Sequence, residues 1–561
     1  MAGPTSVADV DLRPVPGKTY FSSTREWREE FIYFLMVDRF HDDQTRAPPA
    51  GTGRTLGVPA PDGFYGGTIR GVTNNLAYIA GLGCTAVWLS PVLACNSYHG
   101  YDTRNYLDID PRFGTKQDLI DLVDAAHARD MRVVMDVVIN HSGDNWEYQG
   151  GPKGYANATQ YEFGGFRPGR EIVPTELRDP ACYHRRGDMH DYDSYPENQH
   201  GDMTGLKDYA TDDDPMGSFT LNALIKAYCY WIREADVDGF RVDAVKHMGE
   251  LTCARFCSNV REYAYALGKR RFFLFGELAR PEDDIYDRYI GPNTSAQDGR
   301  DTVFFGIDSL LDFRLAAGVY AQVPRFREIV RGDAGPEPLF RRLEAQRNRA
   351  LNRGELGRYL VTFADNHDGF WQKGDGRIGL NASSDQIAGM IGYLLCALGT
   401  PCIYYGTEQG FAGNASEDYL LREAMFDKAT PGKNLLNTNC EIYKAIAAVA
   451  AVVRAREPLR FGRMYFRQIS GDGEHFGLPY GTTYTLAFSR LLYGREVLVA
   501  YNVSASGRSD RVVVDADLHK PGEQMTYLVP PGKGQATVEK APDGTTFVRL
   551  DLDGHQFAVL E

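Results

Sequence analysis

The segment Asp238-Gly239-Phe240-Arg241-Val242-Asp243-Ala244-Val245-Lys246-His247 sets the tightest limit on what this chain can fold into. In an extended strand, side chains two apart share a face, so Arg241 and Asp243 point one way and Phe240, Val242 and Ala244 the other. A fixed cation beside Asp243 favours the ionised carboxylate and predicts a lowered pKa, as a carboxylate nucleophile needs. One such pair at a strand end is ordinary structure. Two more runs of the same form change its meaning: Phe272 to Gly276 closes on Glu277, and Tyr359 to Ala364 closes on Asp365-Asn366-His367-Asp368. Short apolar runs with ionisable groups at their C-terminal ends describe a parallel β/α barrel, whose chemistry lies at that rim.

Counting such runs gives strands that end near residues 37, 90, 138, 243, 277, 307, 364 and 406, with the sixth read over Thr302–Ile307. Eight strands close a barrel. Helical periodicity separates several of them, over 118–130, 221–235 and 384–398, the last with Ser384 as its expected N-cap. Residues 142–205 lack periodicity and are crowded with Gly, Pro, Asp, His and Tyr, which marks a functional excursion. After the helix at 442–456, residues 459–561 change to short alternating runs and Gly-rich turns, the pattern of an antiparallel sheet. The expected division is barrel over 1–141 and 206–458, insertion over 142–205, and a β domain over 459–561.

A carboxylic acid among other carboxylates and behind aromatic rings resists ionisation, so Glu277 is the expected proton donor. One ionised and one protonated acid form the apparatus of a retaining glycosidase. Asp136 lies inside its strand and is read as support for Arg241 through a buried salt bridge. The 561-residue chain is 43% hydrophobic and 24% charged, as soluble proteins are, and its net charge of −14 excludes a nucleic-acid-binding face. No apolar run is long enough to span a bilayer. Nine cysteines, several inside apolar runs, and an N-terminus without a secretory pattern lead to a cytoplasmic expectation. No oligomeric state follows from the sequence.

The motifs DVVINH (136–141), GFRVDAVKH (239–247), FGEL (275–278) and FADNHD (363–368), with GCTAVWLSP (83–91) and GTPCIYYGTEQ (399–409), resemble the α-amylase family of glycoside hydrolases. The resemblance implies an α/β fold: a (β/α)8 TIM barrel, a domain B inserted after strand 3, and a C-terminal antiparallel β-sandwich, domain C. It implies Asp243 as nucleophile, Glu277 as acid and base, and Asp368 as the third carboxylate. His99, Tyr101, His141, Arg241, Lys246, His247 and His367 would bind substrate, an α-glucan or oligosaccharide. Asn140, Asp208 and the His247 carbonyl would hold Ca2+. The chain departs from the family's endo-amylase pattern at Asp102, where Trp is usual, and carries Tyr98 where exo-acting relatives place an acid. Ala244 resembles enzymes that cut α-1,4 bonds. Glucanotransferases and sucrose-, trehalose- or maltose-active transglycosylases share these motifs, and a non-catalytic barrel scaffold is the remaining alternative. Asp42 and Asp43 are read as part of a solvated loop rather than a cation site. Cys182, His184, His190 and His200 match no compact zinc spacing and are also read as solvated.

Overall fold

Eight parallel strands close into a barrel in a computed structural model that describes residues 3–43, 63–212, 216–279, 286, 288–290, 293–295, 302–304, 306–317, 325–348, 350–351, 354–368, 376–413, 417–427 and 434–561. The strands are β1 (Ile32–Leu35), β2 (Ala86–Leu89), β3 (Arg132–Val137), β4 (Gly239–Val242), β5 (Phe273–Gly276), β6 (Ser309–Leu311), β7 (Leu360–Thr362) and β8 (Thr400–Tyr404). Each pairs with its neighbours in sequence order, and β8 returns to β1. Their residues are buried on both faces, which is why these segments read as continuous apolar runs rather than alternating ones. Inside the barrel, Phe34 stacks on Trp88 with ring centroids 3.7 Å apart, and Phe275 meets Trp88 edge-on at 5.3 Å.

The sixth strand is a correction to the sequence reading. Thr302–Phe304 pairs antiparallel with Asn293–Ser295, and β6 lies further on, between Asp308 and Asp312. Asp308 ties β6 to β5, its carboxylate accepting from the Leu274 N–H and its own N–H donating to the Leu274 carbonyl. Local apolar content cannot separate a hairpin strand from a barrel strand, because only the partner differs. The N-cap at 384 also moves by one residue. Helix Ser384–Cys396 is capped by the Ser383 hydroxyl, which accepts from the Gln386 N–H in a capping box.

The excursion after β3 is closed at its base by His141–Ser142 paired antiparallel with Lys207–Asp208. Within it, Trp146–Tyr148 pairs with Phe163–Phe166, and the rings of Trp146, Tyr148, Phe163 and Tyr183 form an aromatic core. Residues 44–62 lie outside the described residues, although Asp42 and Asp43 do not.

At the C-terminal end, nine antiparallel strands run β9 (Arg463–Phe466), β10 (Ile469–Ser470), β11 (Thr485–Leu492), β12 (Arg495–Asn502), β13 (Arg508–Val513), β14 (Gln524–Val529), β15 (Gln535–Lys540), β16 (Thr546–Leu552) and β17 (Phe557–Leu560). Their spatial order is β9-β11-β12-β17-β14-β15-β16-β13-β10. The sheet folds over a second core containing Leu498, Met525, Val538, Val548 and Leu560, so its two halves face each other. It docks on the barrel through Ser384–Cys396, where Gly389 and Gly392 leave room for the rings of Tyr501 and Phe557. Buried Arg490 completes the joint by donating to the carbonyls of Cys396, Ala397 and Gly462.

Gly239, which starts β4, has no room for a side chain: a Cβ there would lie 2.5 Å from the Phe273 carbonyl oxygen, which β5 holds in place. Gly239→Ala is expected to lower stability by about 1–3 kcal/mol. Gly471→Ala, where a Cβ meets nothing within 4 Å, should stay within about 0.5 kcal/mol of the parent. Urea unfolding of the two variants checks this.

Candidate active site

The registers of β3, β4 and β5 place the carboxylates. Arg241 on β4 lies level with Asp136 on β3, and Val242 lies level with Gly276 on β5. Asp243 and Glu277 each follow one member of that last pair, so they leave adjacent strands at the same height. The ladder still holds there, since the Asp243 N–H donates to Val137 and the Glu277 N–H to Val242. Adjacent strands lie about 4.8 Å apart, which brings the two acids side by side.

One guanidinium joins them. Arg241 Nη1 lies 2.8 Å from Asp136 Oδ1 and 2.6 Å from Asp243 Oδ1, while Nη2 lies 3.0 Å from Glu277 Oε2. Asp136 is fixed further by donors from the Trp88 indole at 3.0 Å and the Tyr101 hydroxyl at 2.9 Å. Ala244 has a left-handed backbone, φ 52°, and its N–H donates to Glu277 Oε2 at 3.2 Å. Gly276 is enclosed by Val245, Ile307 and Leu310, so Glu277 follows a backbone with little freedom.

The expected lowering of the Asp243 pKa is not what the geometry produces. Burial raises it, Arg241 opposes, and Glu277 and Asp136 push it further up. Asp136 is likewise pushed up to about 6, by burial. Burial and neighbouring carboxylates around one cation thus oppose the ionised forms of Asp243 and Asp136. Sequence spacing showed the cation but neither the depth of burial nor the other two acids sharing it.

The sugar-binding candidates form a second layer. The Tyr101 ring stacks on His367 at 5.3 Å, and His99 stacks on Tyr101 at 5.8 Å. His141 Nε2 lies 4.0 Å from Asp243 Oδ2 and 3.2 Å from the Tyr101 carbonyl. Burial is the main cause lowering the pKa of each of these imidazoles: His99 to about 3, His141 and His247 to about 4, and His367 well below its usual value. They are therefore neutral hydrogen-bonding groups at pH 7. Asp368, with a side chain one-third exposed, lies 3.5 Å from His367 Nε2 and 3.1 Å from Arg422 Nη2. Arg422 was not singled out in the sequence. It also donates to the His367 carbonyl and to the Tyr98 hydroxyl, binding the third carboxylate and the aromatic layer together.

Lys246 and His247 turn toward the insertion. Lys246 Nζ pairs with Asp193 at 2.7 Å, and His247 Nδ1 donates to the Asn198 carbonyl at 2.6 Å. The residues expected to bind Ca2+ fit that ion poorly. Calcium takes six to eight oxygens, but the buried Asp208 carboxylate is bonded to His184 Nδ1. Burial opposes a charge on His184, yet Asp208 and Asp212 outweigh it and hold its pKa up, while burial pushes the Asp208 carboxyl up as well. Asn140 sits beside His141, 3.4 Å from its Nδ1, and receives the Tyr209 N–H on its carbonyl. His184, His200 and Asp212, by contrast, bring three ligand atoms within 4.8 Å of one another. His184 is thus not the solvated loop residue its spacing suggested.

A family model described as the alpha amylase catalytic domain matches residues 34–299. That segment carries the catalytic domain of the α-amylase family. The alpha-amylase of Streptomyces lividans is 27% identical over 92% of this chain, which covers 61% of that relative. The beta/alpha-amylase of Paenibacillus polymyxa is 28% identical over 93% of this chain, which covers 38% of it. The chain thus spans less than two thirds of the length of these curated relatives. Among solved structures, the Geobacillus thermoleovorans alpha-amylase complexed with acarbose aligns at a TM-score of 0.71 and 24% identity, covering 96% of this chain and 98% of that one. CldA, described as a cyclomaltodextrin glucanotransferase with a three-domain ABC distribution, aligns at 0.71 and 23%, covering 94% and 98%. These likenesses establish the shared barrel and C-terminal sheet.

Arg241→Leu is expected to destabilise the protein by about 3–5 kcal/mol, because it strands buried carboxylates without their cation. Carboxyls with raised folded-state pKa values favour the fold below their unfolded pKa and lose that contribution as pH rises. The deficit should therefore be larger at pH 8 than at pH 5, as read from urea unfolding at the two values.

Proposed function

We propose that this protein is a retaining glycoside hydrolase of the α-amylase type that cleaves α-1,4-glucosidic bonds in starch, glycogen or maltooligosaccharides. One observation carries the reading: Asp243 and Glu277 leave neighbouring strands at one height and share one guanidinium. That arrangement suits the ~5 Å separation of a retaining pair better than the ~6.5–9.5 Å of an inverting pair.

In this mechanism Asp243 attacks the anomeric carbon while Glu277 gives its proton to the departing oxygen. A glycosyl ester forms on Asp243 as the glycosidic bond breaks. Glu277, now ionised, takes a proton from water, and the resulting hydroxide equivalent releases the sugar and restores both acids. The neutral imidazoles of His141 and His367, with Asp368, would grip hydroxyls of the reacting ring, and Tyr101 would lie under its apolar face. No step requires a metal ion.

A second reading has specific support. Cyclomaltodextrin glucanotransferases stand beside amylases among the relatives, as in the Thermoanaerobacterium thermosulfurigenes protein, 26% identical over 87% of this chain. A sugar hydroxyl would then replace water in the second step. All nine cysteines are unpaired and eight are buried, which supports a reducing, cytoplasmic setting.

Incubation with maltoheptaose decides between the readings. Short maltooligosaccharides are expected; longer or cyclic products would favour transfer, and no products would overturn both. Asp243→Asn and Glu277→Gln should each lower kcat by about 10³-fold or more, about 4 kcal/mol of lost transition-state stabilisation. Because Asp243 must be ionised to attack and neighbouring acids raise its pKa, Asp136→Asn should move the acid limb of the kcat/KM profile to lower pH.

A further inference from the structure

The insertion holds a cluster that the proposed glycosidic chemistry does not use. His184 is buried, and its Nε2 lies 2.8 Å from Asp212 Oδ1; His200 Nε2 lies 3.1 Å from Asp212 Oδ2. The two imidazole rings face each other, 4.3 Å between centroids and 33° between planes. On the far side of His184, Nδ1 is bonded to the Asp208 carboxylate.

We propose that His184, His200 and Asp212 form a site for zinc or a similar borderline divalent transition metal, with Asp208 orienting His184 from behind. Ligand types support this class. Two imidazole nitrogens and one carboxylate are a common zinc donor set, whereas calcium and magnesium prefer oxygen alone. The hydrogen-bond pattern supports it as well. A histidine that ligates a metal through one nitrogen almost always gives the other N–H to a carboxylate or carbonyl, and Asp208 is in that position, leaving Nε2 toward Asp212 and His200.

The spacing is close to what coordination needs. Donors about 2.0–2.2 Å from a tetrahedral ion sit roughly 3.3–3.5 Å from each other. The contacts, 2.8 Å to Asp212 Oδ1 and 3.1 Å to its Oδ2, need to open by a few tenths of an ångström, and the ligand atoms, which lie within 4.8 Å of one another, need to close on one ion. Asp212 keeps a third of its side chain exposed, so water can reach the fourth position.

Such an ion would act on the cleft as well as on the insertion. His200 ends the helical turn Glu197–His200, and Asn198 of the same turn accepts the His247 N–H beside Lys246. A metal on His200 would therefore fasten that turn and, through Asn198, the wall behind β4.

Titrating the dialysed full chain with Co2+ tests the site. One equivalent should bind, with the visible absorption bands of cobalt in a four- or five-coordinate nitrogen and oxygen site, and Zn2+ should displace it. Zn2+ should also raise Tm. His200→Ala and Asp212→Asn, both on the accessible side, should abolish the spectrum and the Tm shift while leaving the circular dichroism unchanged. Asp208→Asn should weaken Co2+ binding by about 10–100-fold. His184→Ala is not needed, which keeps the test clear of a variant that fails to fold. The proposal is overturned if Co2+ does not bind stoichiometrically, if His200→Ala binds it as tightly as the parent, or if Ca2+ displaces it at equal concentration.

Discussion

The guanidinium of Arg241 is the interaction on which the rest of the molecule depends. Bringing three carboxylates into a barrel mouth is strongly unfavourable by desolvation and mutual repulsion, and one buried cation offsets much of it only when its hydrogen-bond geometry is good. That geometry is imposed from outside the cluster. Trp88 on β2 and Tyr101 in the following loop fix Asp136, and Asp136 fixes one arm of the guanidinium. The other arm then reaches Glu277. Four strands must hold their register for this to work, so the closed barrel serves chiefly to keep the carboxylates at a common height.

Much of the architecture was legible in the chain because burial on both faces leaves continuous apolar runs, and each run stops where side chains meet the open rim. Seven strand ends were placed within one or two residues on that basis. The sixth was misplaced since Thr302–Phe304 is also an apolar strand, but one whose partner is a nearby hairpin arm. The coplanar placement of Arg241 and Asp243 could be read from a two-residue period. Its electrostatic outcome could not, because the pKa of Asp243 depends on desolvation and on Asp136 and Glu277, 107 residues before and 34 after in the chain. Arg422 gave no signal at all: an arginine in an irregular loop is usually solvated, and only the fold reveals that it joins Tyr98, His367 and Asp368. The histidines of the insertion failed in the same way, since their aspartate partners lie 12 to 28 residues away with no regular structure to set a spacing.

Those histidines also give the insertion a reason to be where it is. Its base is clamped by the short sheet that carries His141 and Asp208, and its far loop is latched onto β4's continuation by Lys246 to Asp193 and by His247 to Asn198. Lys246 and His247, which follow β4, thus pin a neighbouring wall. A wall held at both ends can shape a sugar-sized groove without contributing a reacting atom.

Ala244 adds a last feature to this picture. Its left-handed turn aims a main-chain N–H at Glu277, and a peptide hydrogen is one contact that no side-chain exchange removes. A side chain that tolerates this left-handed backbone could therefore change in size beside Asp243 while the hydrogen bond to Glu277 stays. The size of that side chain and the hydrogen bond to Glu277 thus rest on different atoms of a single residue, and one can vary without the other.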